Sequence, residues 1–190
     1  MKLPILAYGD PILKKVAEDI NKDYPNFSLL INNMFDTMYA ANGVGLAAPQ
    51  IGLPIRLFII DASPFYEEET AKPEGLKKVF INAQIVEEKG NKWTFNEGCL
   101  SIPDVREDVN RHPNILISYY DENWDLFEEH FSGLMARVIQ HEYDHIEGKL
   151  FTDRINPLRK TMLKGKLDSI SKGIVKVDYK MRFPISKKKR

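Results

Sequence analysis

The sequence predicts an α+β fold. Segments of strand character outnumber helical ones, and they do not alternate with helices as a parallel sheet with crossover helices would require. The clearest periodicity is a single amphipathic helix over residues 133–147. The 190 residues suit one domain, 1–185, followed by a basic tail, 186–190, that reads as disordered.

Taken in order, residues 1–25 are loop-rich, with Pro4, the run Gly9-Asp10-Pro11 and Pro25. Over residues 28–41 the apolar Leu30, Ile31, Met34, Phe35 and Met38 recur at helical spacing, and Asn42-Gly43 reads as the stop. Residues 43–50, with two glycines and a proline, suit an extended or looped segment that other groups can approach closely. Residues 55–61 read as a buried strand, 62–77 as a polar acidic loop, and 79–86 as another strand. Residues 93–102 read as short and irregular. The stretches 115–120 and 126–131 flank a polar turn and predict a hairpin. The helix over 133–147 is stopped by Gly148. A further helix starts after Pro157 and runs to about Ile170, and residues 174–179 alternate like a strand.

Charge is balanced, with 27 Lys+Arg against 27 Asp+Glu. That argues against sequence-specific nucleic-acid binding, which favours a basic surplus. Cys99 is the one cysteine, so no internal disulfide forms, in keeping with a reducing compartment. The first ten residues carry a single lysine and a short apolar stretch broken by Pro4, unlike a signal peptide. No apolar run is long enough to span a membrane. Together these place the protein in the cytoplasm, with no membrane partner.

The strongest chemical signal is His141-Glu142-Tyr143-Asp144-His145. Residues four apart on a helix lie one turn above each other, so both imidazoles can bind one divalent metal. Leu134 and Val138 share their face, which turns the histidines inward. Glu142 lies to the side of that face, where a carboxylate can take a proton from a water activated by the metal. Catalytic sites of this kind use three protein ligands and keep a fourth position open. For the third ligand Asp168 downstream is a poor substitute, and the flanking Gly98 together with the helix motif favours the soft ligand Cys99 upstream. A closed structural site would need a fourth ligand, for which His112 and His130 remain.

Three motifs, Gly43-Val44-Gly45-Leu46-Ala47-Ala48-Pro49-Gln50, Glu97-Gly98-Cys99-Leu100-Ser101 and Gln140-His141-Glu142-Tyr143-Asp144-His145, resemble the signature motifs of peptide deformylases in that family's order. The resemblance covers residues 3–158. It implies antiparallel sheets packed around the helix that bears the two histidines. It also implies a metal-dependent hydrolase that removes the formyl group from nascent N-formyl-methionyl peptides. By the same resemblance Cys99, His141 and His145 are the metal ligands and Glu142 is the general base and later the acid. Gln50 and the Leu100 backbone N–H stabilise the oxyanion. Gly45 leaves space for the formyl group beside the metal. Glu97, paired with Arg111, holds the cysteine segment.

Val44, Leu134 and Val138 match the pocket for the methionine side chain, and Arg106 matches a position near the peptide groove. Arg137 departs from the family, where the position is often apolar; its stem is expected against methionine with its head in water. Residues 62–78 form a longer segment than is usual in the family and carry no assigned role. The resemblance implies one divalent ion per chain, Fe2+, with Zn2+, Ni2+ or Co2+ as substitutes. Zinc should bind the same ligands more tightly, so ligand type does not by itself select iron. The basic end, 187–190, reads as a solvated tail, with a second reading as a contact to the ribosome surface.

Overall fold

The computed structural model describes residues 1–66 and 75–184. Along these the elements are β1 (Ile5–Leu6), α1 (Phe27–Ala40), β2 (Gly45–Ala47), β3 (Leu57–Asp61), β4 (Lys77–Lys89), β5 (Trp93–Cys99), β6 (Ile102–Arg111), β7 (Asn114–Tyr120), β8 (Leu126–Ser132), α2 (Gly133–Ile146), α3 (Pro157–Ser171) and β9 (Met181–Arg182). A five-stranded sheet has the order β2-β3-β4-β7-β8, and every neighbouring pair in it is antiparallel. β5 and β6 form a separate antiparallel ribbon, while β1 and β9 pair in parallel. The fold is therefore mixed α and β with antiparallel sheets, as expected, plus a small parallel pair that the sequence does not announce.

β3 explains why its apolar run is unbroken. Phe58 and Ile60 pack with Ala136 and Ile139 of α2, whereas Leu57 and Ile59 pack with Met34 and Met38 of α1. A strand covered on both faces loses the usual polar alternation. Each such fully buried side chain contributes roughly 1.5–3 kcal/mol. Phe58 and Phe80 stack at 4.6 Å between ring centroids within the α2 layer.

α1 begins and ends one residue earlier than the sequence suggests. Its stop is made by Asn42 in the left-handed region (φ +55°), with the Gly43 amide returning to the Met38 carbonyl. The β7–β8 turn is organised by Asp121, whose carboxylate accepts from the amides of Asn123 and Asp125. That local capture stabilises a loop longer than a two-residue hairpin.

Two expectations fail. Residues 93–99 and 102–111 form two full strands, where the sequence predicted a short irregular stretch over 93–102 and no strand after it. In β6 buried and exposed positions alternate from Pro103 onward, but two of the buried ones are the charged Glu107 and Arg111, which hides the pattern from hydropathy. Conversely, 174–179 alternate without forming a strand; the short ladder lies just beyond, at Met181–Arg182. The tail 186–190 and residues 67–74 of the acidic loop lie outside the described residues. Within them, no helix is long and apolar enough to cross a membrane.

Candidate metal centre and active site

α2 ends in a pattern that caps the carbonyls of its last turn. Gly148, at φ +67°, lets the Lys149 amide reach the Asp144 carbonyl while its own amide reaches that of His145. His141 and His145 stand one turn apart, their ring centroids 5.2 Å from each other. Cys99 is the last residue of β5, just before the tight turn through Leu100 and Ser101. Its sulfur lies 3.4 Å from His145 Nε2, and one ligand atom from each of the three residues falls within 4.8 Å of the others. Metal–sulfur and metal–nitrogen bonds of about 2.3 and 2.1 Å at a tetrahedral angle set their ligand atoms about 3.5 Å apart, so the donor set fits one ion.

This is the one such cluster among the described residues. Asp168 is exposed and bound to Lys172 at 2.5 Å. His112 pairs with the Gly90 carbonyl at 2.7 Å, and His130 is exposed on β8. None of these alternatives reaches the cluster.

Behind the cluster lies a buried ionic network. Arg111 donates to both oxygens of Glu97, at 2.7 and 2.9 Å, and to Asp144 at 2.7 Å. Glu97 Oε2 lies 2.9 Å from His141 Nδ1, and in the neutral tautomer with Nδ1 as the donor the lone pair is on Nε2. Asp144 is further held by Arg154. Burial pushes the Glu97 and Asp144 carboxyls up, but their arginine partners win and hold both below the ordinary carboxylate range.

Arg137 belongs to the same network, which corrects the expectation that its head reaches water. It is 2% exposed. Its guanidinium donates to Glu97 at 3.0 Å, to the Val109 carbonyl at 3.1 Å and to the Trp93 carbonyl at 2.7 Å, and lies 4.4 Å from the Trp93 ring centroid. The charge is absorbed by β5 and β6, two elements that come together around it.

Glu142 is buried, and its Oε2 has no hydrogen-bond partner among the described residues. Burial lifts its carboxyl to about 7. A Cβ at Gly45 would lie 2.7 Å from both the Cγ and the Cδ of Glu142. The space left by the missing side chain is therefore taken first by the carboxylate, where the sequence suggested the formyl group. Gln50 Oε1 accepts from the Ala47 amide at 2.9 Å. That turns its NH2 group toward Cys99 Sγ at 3.4 Å and Ser101 Oγ at 3.2 Å.

A cavity of roughly 590 Å³ opens over these groups. Val44, Val138, Gly45, Gln50, Leu100 and Arg106 line it, together with Cys99, His141 and Glu142. A family model described as polypeptide deformylase matches residues 2–161. The chain belongs to the polypeptide deformylase family. It is thus a hydrolase that removes the N-terminal formyl group from new polypeptides. It is 62% identical to a peptide deformylase of Christiangramia forsetii, with all of both chains covered. It is 59% identical to one of Flavobacterium psychrophilum, covering 96% of this chain and 97% of that protein. The crystal structure of a peptide deformylase from Legionella pneumophila superposes with a TM-score of 0.77 at 39% identity, over 89% of this chain and 95% of the other.

Leu134, expected in the deformylase pocket, is not among the residues lining the cavity. Phe65 and Phe95 line it instead, at 6.4 Å edge to face, and no motif pointed to them. Arg106 lines the rim, tied back to Asn96 Oδ1 at 2.9 Å. Asp144 was legible within its motif but had no assigned partner. Residues 176–179, beyond the end of the family match, also line the cavity.

Proposed function

We propose that residues 1–185 act as one catalytic domain built around α2, in which Cys99, His141 and His145 hold a single divalent ion and Glu142 moves the protons of deformylation. The observation that carries this reading is the meeting of a sulfur from β5 and two imidazoles from α2 beside a buried carboxylate, at the floor of an open cavity. When bound, the ion polarises the formyl carbonyl and acidifies a water. Fe2+ is our assignment, with Zn2+, Ni2+ or Co2+ as substitutes; the thiolate of Cys99 donates strongly and softens the site.

Glu142 takes the proton of the attacking water and delivers it to the leaving amine. A carboxyl lifted to about 7 suits both transfers near neutral pH. Gln50 Nε2 and the Leu100 N–H donate to the oxygen that gains charge as the carbonyl becomes tetrahedral. Glu97, fixed by Arg111 and Arg137, orients His141. Val44, Val138, Phe65 and Phe95 supply an apolar wall for the methionine side chain, and Arg106 borders the path of the following peptide. The substrate, a nascent N-formyl-methionyl peptide, is met in the cytoplasm.

Formate release from an N-formyl-methionyl peptide, measured with metal analysis of the same sample, tests the reading. Cys99→Ala is expected to lose both metal and activity. If that variant keeps a stoichiometric ion, the ligand assignment fails. Gly45→Ala is expected to keep its metal yet lose about 100-fold in kcat, the scale of a misplacement near 1 Å at a reacting group. Wild-type kcat in that variant would show that Glu142 has room to spare.

A further inference from the structure

Leu100 and Ser101 form the tight turn between β5 and β6, directly after the ligand Cys99 and at the position of the proposed oxyanion donor. The turn is held by groups distant in sequence. Gln50 Nε2 donates to Ser101 Oγ at 3.2 Å, and the Tyr8 amide donates to the Ser101 carbonyl at 2.8 Å. The Leu100 carbonyl is taken by a third group, the Tyr179 hydroxyl, at 2.8 Å.

Tyr179 sits on a strap, 174–180, that has no ladder of its own. Its C-terminal end is nonetheless anchored. The Ile5 amide bonds the Lys180 carbonyl and the Ala7 amide bonds the Arg182 carbonyl, both at 2.9 Å, as β1 pairs with β9. The phenol is therefore placed by backbone pairing one residue away. It lines the same cavity as Cys99, Glu142 and Leu100, beside Val177.

We propose that Tyr179 is a positioning residue for deformylation, clamping the Leu100 turn so that the Cys99 sulfur and the Leu100 N–H keep their places. It is not one of the proposed metal ligands; its hydroxyl acts through the peptide that follows Cys99. The proposal rests on the site reading above, in which the Leu100 N–H receives the developing charge. Misplacing that donor weakens an interaction made in the transition state and leaves ground-state binding alone.

Tyr179→Phe keeps the ring and deletes the hydroxyl. Steady-state kinetics of the metal-loaded enzyme on an N-formyl-methionyl peptide should show kcat lowered about five-fold, the factor a typical single hydrogen bond commands. KM should stay within two-fold of wild type. Amide exchange followed by mass spectrometry should quicken at residues 99–101 and remain unchanged along α2, a difference that a general loss of stability would not produce. Unchanged kcat, a change confined to KM, or uniformly faster exchange would each overturn the clamp. Wild-type turnover by Glu142→Gln would sink the underlying site reading instead, so the two failures are distinct.

Discussion

Glu142→Gln is expected to lose about 10²- to 10⁴-fold in kcat for formate release, the range a positioned general base contributes, while keeping one metal ion per chain. Glutamine has nearly the same shape, so the close fit of this side chain over Gly45 is preserved. What changes is the proton chemistry. The amide cannot accept a proton from water, nor hand one to the leaving amine. The three ligand atoms belong to other residues, so the ion should remain. The wild-type carboxylate is also poorly solvated, with one oxygen buried and unpartnered. Replacing a charge there by a neutral amide removes a desolvation penalty, so the variant should melt no lower than wild type. Kinetics, metal analysis and a thermal melt on one preparation check all three points. Activity within a few-fold of wild type would mean that another group carries the proton.

How much of this was legible in the sequence follows from how local each signal is. α2 and its histidine pair were readable because a helix brings residues four apart together without help from the rest of the fold. The third member of the candidate metal cluster was not readable from spacing, since Cys99 comes from a different element 42 residues before His141. Its soft sulfur and the flanking Gly98 favoured it over Asp168, and the resemblance of its five-residue motif assigned it the role. β6 was missed because Glu107 and Arg111 occupy inward positions normally held by apolar residues. Glu107 is covered by Arg159 of α3, and Arg111 by Glu97 and Asp144. Arg137 was misread for the same reason: its partners lie on β5 and β6, and hydropathy has no access to a partner that only the tertiary fold supplies. The segment 174–179 shows the opposite error. Its alternation is genuine, but a strand needs a neighbour with free backbone groups, and β1 offers one only at Ile5–Leu6.

Arg111→Leu is expected to lower folding stability by about 3–5 kcal/mol, the cost of removing one partner from a buried ion pair. The guanidinium is almost wholly buried, with side-chain exposure of 1%, and the carboxylates it serves are equally covered. Leucine would leave Glu97 to Arg137 and Asp144 to Arg154, each short of a strong donor. The effect has a definite pH signature. Glu97 and Asp144 both titrate below their ordinary values in the folded protein, so their contribution is complete above the unfolded carboxylate values, near about 4. It is lost as pH falls from there toward the folded values. Without Arg111 the folded pKa values rise toward the unfolded ones, and that contribution shrinks. The variant should therefore be less stable at pH 7 and should unfold in acid at a higher pH than wild type. Urea melts at several pH values measure both effects. Because Glu97 also orients His141, the folded fraction of the variant should bind its metal more weakly. A loss below about 1 kcal/mol at pH 7, the scale of an exposed pair, would show that the network is better hydrated than its burial implies.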